Sequence, residues 1–159
     1  MSLLDKEPVK RAEKVLKNFN PEMEVVILKQ SARTAFDAAN SLKCVAGAII
    51  KSLLFKFKSN FVLCLVSGDK KCCLNKLKKI FDTNDISMAS PEEVKTQTGY
   101  TIGGVSPVGH NKKIEILIDN SLERFIDLYA AAGHPNCIFK INFKNLQKIT
   151  NGKVKEIIE

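Results

Sequence analysis

Ala48-Ile-Ile-Lys51-Ser-Leu-Leu-Phe-Lys-Phe57, then Lys58-Ser-Asn60, then Phe61-Val-Leu-Cys-Leu-Val66 is the stretch that decides the fold. Two strongly apolar runs of strand length flank three polar residues, which predicts a β-hairpin. Upstream, Glu24 to Leu28 reads as a short strand, and Ser31 as the cap of an alanine-rich helix to about Leu42. Pro8 to Phe19 reads as an amphipathic helix with Val9, Ala12, Val15, Leu16 and Phe19 inward. Downstream, Ser67-Gly-Asp leads into a lysine-rich helix that ends near Phe81. Ser90-Pro91-Glu92-Glu93 combines an N-cap serine, a first-turn proline and a glutamate three residues on, so it starts another helix. Ile114 to Ile118, Ile126 to Ala132 and Ile138 to Ile141 read as strands, with a helical turn at Ser121 to Arg124. Asn142 caps a last helix to about Ile149, and Val154 to Ile158 closes the chain. Strands and helices mix without regular βαβ alternation, so the class is α+β.

At 159 residues the chain is expected to form one domain spanning residues 1–159. Its 45% hydrophobic and 26% charged residues are those of a soluble globular protein. No apolar run reaches the ~18 residues a bilayer span needs, and Met-Ser-Leu-Leu-Asp-Lys-Glu-Pro lacks the order of a secretory signal. The five cysteines are odd in number and lack CxxC spacing, which points to reduced thiols and a cytoplasmic location without membrane contact. A net charge of +8 makes polyanions a natural partner class. Lys10, Arg11, Lys14 and Lys17 crowd the first helix, and Lys70, Lys71, Lys76, Lys78 and Lys79 a later one. These are either solvated helix faces or contacts to a phosphate backbone.

Three places could carry chemistry. Lys51 interrupts an otherwise apolar strand, so it must point outward or face a polar cleft, because burying an unpaired ammonium is costly. Thr98 to Gly109 packs four of the eight glycines into one loop. Within it Gly103-Gly104-Val105-Ser106-Pro107 could offer the N–H groups of Gly104, Val105 and Ser106 to a carbonyl or phosphate oxygen. The rival reading is a tight structural turn. No GxxxxGK[ST] or GxGxxG is present. Gly133-His134-Pro135-Asn136 forms a second turn, in which His134 is either a general acid–base group or a surface residue; His110, in a polar loop, is a weaker candidate. Two distant histidines without a cysteine or carboxylate cluster do not make a metal site. No Ser-His-Asp grouping is legible, and Asp119 at a strand end is the one acid placed to reach a cleft. Spacing alone leads to an α+β domain with a carbonyl- or phosphate-binding cradle.

At these residues the chain resembles the YbaK and prolyl-tRNA-synthetase editing-domain family of aminoacyl-tRNA deacylases, from roughly Val9 to Ile158. The resemblance is anchored on Arg33-Thr34-Ala35, Ile50-Lys51-Ser52-Leu53, Val66-Ser67-Gly68-Asp69, Thr98-Gly99-Tyr100 with Gly103 to Pro107, Ile118-Asp119, and Ala131-Ala132-Gly133-His134-Pro135-Asn136. It implies a mixed β-sheet curling into a partly closed barrel with helices around it. It also implies hydrolysis of the ester that joins a wrong amino acid to the terminal adenosine of a tRNA, with tRNA(Pro) expected. The resemblance gives Lys51 the anchoring of the substrate and the orientation of its amino acid, and gives the Gly103–Pro107 backbone the aminoacyl carbonyl and terminal ribose. Thr34, Asp119, Gly133 and His134 would line the pocket. No metal or cofactor is implied; the partners are the acceptor end of aminoacyl-tRNA and, as an open question, a synthetase, with no DNA. Many members carry glutamine three residues before the lysine, where this chain has Ala48, which bears on pocket polarity. Without synthetase motifs the domain would act in trans. The alternative is a tRNA- or synthetase-binding module without turnover.

Overall fold

A computed structural model describes residues 2–30, 32 and 34–159. Five α-helices and two sheets alternate as α1 (Glu7–Phe19), β1 (Val26–Ile27), α2 (Ala35–Leu42), β2 (Ile50–Phe57), β3 (Asn60–Ser67), α3 (Leu74–Phe81), β4 (Ile86–Met88), α4 (Pro91–Thr98), β5 (Glu115–Asp119), β6 (Leu128–His134), β7 (Cys137–Ile141), α5 (Phe143–Thr150) and β8 (Lys153–Lys155). The class is α+β. None of these helices is long and apolar enough to cross a membrane.

The hairpin is β2–β3, in register from Ile50 opposite Ser67 to Phe57 opposite Asn60. Its turn is the pair Lys58-Ser59, with Lys58 at φ 55°, the positive φ that a tight hairpin turn demands. β3 is the spine of the larger sheet, ordered β4-β2-β3-β5-β8, with β5 parallel to it. Val62 to Ser67 are all buried, since both faces of this strand are covered; that is why its apolar run does not alternate. On one face, Leu63 and Leu65 pack with Val9, Ala12 and Leu16 of α1, Phe139 of β7 and Leu146 of α5. On the other, Val62, Cys64 and Val66 pack with Phe55, Leu77 of α3 and Ile157.

The smaller sheet is ordered β1-β7-β6. The two sheets meet at an isolated parallel bridge between Ile49 and Tyr129 and do not close into a barrel. Several boundaries differ from those read in the sequence. β4 was not expected: Ile86-Ser-Met is only three residues long, and of these only Ile86 is buried. α3 starts at Leu74, which leaves Lys70 and Lys71 in the preceding turn. Phe19, expected to point inward, is 37% exposed at the end of α1. The cap expected at Ser31 and the anchor residue Arg33 lie outside the described residues; Thr34 is the N-cap of α2, its Oγ1 accepting from the Asp37 N–H at 3.1 Å.

Candidate functional site

Beyond the Ile49–Tyr129 bridge the sheets diverge, and the gap is a cavity of about 460 Å³. That size and its largely apolar lining suit a small organic group. Ile50 to Leu54 form one wall. β4 pairs with β2 only at Phe55 to Phe57, so this wall is an unpaired strand edge. The start of α2, Ala89 and Val94, the glycine loop, and Ala131 with Ile138 complete the enclosure.

Of the residues singled out in the sequence, Thr34, Lys51, Gly103 and Val105 line this cavity. Lys51 is partly buried and its Nζ donates to the Lys70 carbonyl. Burial pushes its pKa down, and the nearby Asp69 carboxylate works against that. Burial would raise Asp69, but hydrogen bonds from Ser67 and Arg124 outweigh it and hold the carboxyl below its ordinary range. Ser67 Oγ reaches both the Gly47 carbonyl and Asp69 Oδ1 (2.9 Å), and accepts from Arg124 Nη2 at 2.9 Å. This polar knot fixes the turn at Ala46–Ala48 that feeds β2. Ala48, the position of the family's glutamine, is buried in that turn.

Gly104, Ser106 and Pro107 sit behind the cavity wall, all buried. The Gly104 N–H is spent on the Thr101 carbonyl at 3.0 Å, so it is not a free donor for a ligand. Gly104 instead permits close packing: an added Cβ would fall 3.0 Å from the backbone of His134. The N–H groups of Gly103, Val105 and Ser106 have no acceptor among the described residues, and of these three residues Gly103 and Val105 line the cavity. Buried amides are nearly always paired, so the unpaired N–H groups of Gly103 and Val105 are the donors this wall offers a ligand. The Ser106 carbonyl accepts from His110 Nε2 at 2.7 Å. Burial pushes His110 below its ordinary pKa, despite that hydrogen bond.

Gly133 and His134, expected in a turn, are instead the last residues of β6, because His134 still pairs with Cys137, and the turn is Pro135-Asn136; of the four only Pro135 lines the cavity. Gly133 has φ 88°, and a Cβ there would lie 2.6 Å from the Pro8 carbonyl oxygen, so it seats the first turn of α1. His134 Nδ1 accepts from the Asn136 N–H at 3.0 Å, and Asn136 Nδ2 donates to the Leu28 and Gln30 carbonyls. Asp119 does not reach the cavity. It is fully buried, with Oδ2 accepting from the Ser121 N–H at 3.0 Å and Oδ1 from the Ile157 N–H at 2.8 Å. A carboxylate at a strand end found local donors that spacing could not reveal, and it holds the C-terminal segment in place.

The sequence reading also missed Arg11. Grouped there with the exposed cations of α1, it is instead the clasp of the glycine loop. Its Nε donates to the Gly109 carbonyl at 2.7 Å and its Nη2 to the Gly99 carbonyl at 2.9 Å. The guanidinium lies 4.6 Å from the Tyr100 ring centroid, and Glu7 Oε1 accepts from Nη1. Tyr100 is buried, which raises its pKa to about 12, and its hydroxyl donates to the Val108 carbonyl at 2.7 Å. Only the rigid fork of arginine spans both ends of the loop in this way. The one sequence signal was arginine, not lysine, four residues after a glutamate.

The Aminoacyl-tRNA editing domain family matches residues 29–149, and the chain belongs to that family. A crystal structure of a candidate trans-editing enzyme for prolyl tRNA synthetase superposes with a TM-score of 0.91 at 34% identity, covering 97% of this chain and 98% of that one. Uncharacterized protein YwhH of Bacillus subtilis (strain 168) is 34% identical over 137 residues, 86% of this chain and 87% of that protein. A proline–tRNA ligase of Kosmotoga olearia is 34% identical over 119 residues, 75% of this chain but only 19% of the ligase.

Proposed function

We propose that this protein hydrolyses the ester of a mischarged tRNA, tRNA(Pro) carrying a small wrong amino acid, and that it does so in trans. The observation that carries this reading is the cavity itself, with the unspent N–H groups of Gly103 and Val105 on its glycine-loop wall. The near-complete overlap with a candidate trans-editing enzyme supports action as a separate protein.

The aminoacyl group enters the cavity and its carbonyl oxygen approaches the Gly103 and Val105 amides on its wall. As water attacks, charge develops on that oxygen, and these donors bind it more tightly than the ground-state carbonyl. Each such donor is worth about 10²–10³ in rate, so a preorganised backbone can supply most of the acceleration. Arg11 keeps the loop in place without touching substrate. Lys51 anchors the substrate: its flexible stem can move Nζ from the Lys70 carbonyl to an oxygen of the terminal nucleotide. Thr34 borders the entrance. The partners are the acceptor end of aminoacyl-tRNA and a synthetase that hands it over.

Purified protein offered a panel of mischarged tRNAs tests this reading. Alanyl-tRNA(Pro) is expected to lose its amino acid well above the buffer rate, and Lys51→Ala to remove most of that activity. Salt-sensitive tRNA binding without release from any member of the panel would favour a binding module resting on the lysines around α3.

A further inference from the structure

Arg124 does not line the cavity, yet its guanidinium is aimed at the turn that holds Lys51. Ser67-Gly68-Asp69-Lys70 leaves the end of β3 as a turn closed by the Lys70 N–H on the Ser67 carbonyl at 3.0 Å. A Cβ on Gly68 would collide with the Ala46 carbonyl, so this turn is seated on the segment that feeds β2. Two of its acceptors lie near the Lys51 ammonium. The Lys70 carbonyl takes a hydrogen bond from Nζ, whereas the Asp69 carboxylate acts through space and forms its ion pair with Arg124. Lys71 and Cys72 are the other titratable groups around Lys51, so Asp69 is the one carboxylate there.

An ammonium on a flexible four-carbon stem prefers a carboxylate to a neutral carbonyl. Asp69 is engaged elsewhere: its Oδ1 accepts from Ser67 Oγ at 2.9 Å and from Arg124 Nη2 at 3.1 Å. Arg124 is itself held firmly. It ends the 3₁₀ turn Asn120–Arg124, which Asp119 caps, and its Nε donates to the Ser121 carbonyl at 2.8 Å. Its Nη2 also donates to Ser67 Oγ at 2.9 Å, and the guanidinium lies 4.8 Å from the Phe125 ring centroid. Resting on the deacylase reading above, we propose that Arg124 is a positioning residue: it occupies the Asp69 carboxylate and so leaves the Lys51 ammonium on a neutral carbonyl, from which substrate can take it. Without Arg124, Lys51 pairs with Asp69, and substrate has to break an ion pair before its terminal nucleotide is anchored. Arg124 acts through Asp69 and touches no substrate.

In protein labelled with ¹⁵N-lysine, the Lys51 Nζ signal, assigned by its loss in Lys51→Arg, is followed through a pH titration. The Lys51 pKa is expected to rise in Arg124→Ala and to fall back to the parent's value or below when Asp69→Asn is added. In parallel, kcat/KM on alanyl-tRNA(Pro) is expected to drop about fivefold in Arg124→Ala, the worth of one partly exposed ion pair. The loss should lie in KM rather than kcat, and the double variant should recover it. Arg124→Lys keeps a cation beside Asp69 and should retain about half of the parent's kcat/KM or more. A residue that only braced the turn would not be rescued by removing a second member of the knot. An unmoved Lys51 pKa in Arg124→Ala, or a rise or an activity loss that survives Asp69→Asn, overturns the proposal. Any of these results in a protein that turns over substrate sinks this inference alone. The reversible shift of Lys51 in a protein that releases no amino acid from any mischarged tRNA sinks the deacylase reading alone.

Discussion

Phe55 and Met88 face each other on one rung of the larger sheet, yet Phe55 is 3% exposed and Met88 is 61% exposed and lines the cavity. The rung marks a boundary along β2. Towards the hairpin turn the strand is paired on both sides, and its apolar side chains Phe55 and Phe57 serve the core. Towards Ile50 the same strand is paired on one side only, and its free edge borders the recess. Apolar sequence is common to both halves. What separates a structural half from a candidate functional half is where β4 stops.

Substitution on that rung gives the largest expected contrast. Phe55→Ala should cost about 3–5 kcal/mol of stability in urea unfolding, with unchanged turnover per folded molecule. Met88→Ala should stay within about 0.5 kcal/mol of the parent and act on KM. Similar stability losses for both would erase the distinction between the two halves.

The glycine loop sharpens the comparison from the facing wall. Arg11→Ala removes a partly buried clasp and should cost about 1–3 kcal/mol, with a fall in kcat larger than the change in KM. Arg11→Lys should recover stability better than kcat, because one ammonium cannot bond the Gly99 and Gly109 carbonyls together. An unaltered kcat in Arg11→Ala would separate the loop from catalysis.

His110 behind that loop gives the smallest effect. Its folded pKa lies below the ordinary 6.5, chiefly through burial, so the unfolded chain binds the proton more readily. Its contribution to stability is therefore intact above about pH 6.5 and is lost as the pH falls through that value towards the lower folded pKa. The urea midpoint should drop more between about pH 7 and about pH 5 in the parent than in His110→Gln. Equal slopes would contradict this.

The hairpin, α1, α4 and the class were legible because each carried a local signal: apolar runs around a polar turn, a helical apolar stripe, a capping box at Ser90. β4 was not, because three residues gain strand character only from the neighbour they pair with. At the site, the glycine loop and Lys51 stood out by composition. Which N–H groups the loop keeps free was invisible, since that depends on Thr101 folding back to take the Gly104 donor. Asp119 and Arg11 exchanged their expected roles for the same reason. The acid found buried amides nearby, and the surface cation found two carbonyls about ninety residues along the chain.

Single-turnover release of alanine from alanyl-tRNA(Pro), by the parent and by Lys51→Ala, tests the central claim most directly. The expected result is parent hydrolysis far above the buffer rate, with most of it lost in the variant. Release at the buffer rate from this and every other mischarged tRNA, by protein that is folded and binds tRNA, would contradict it.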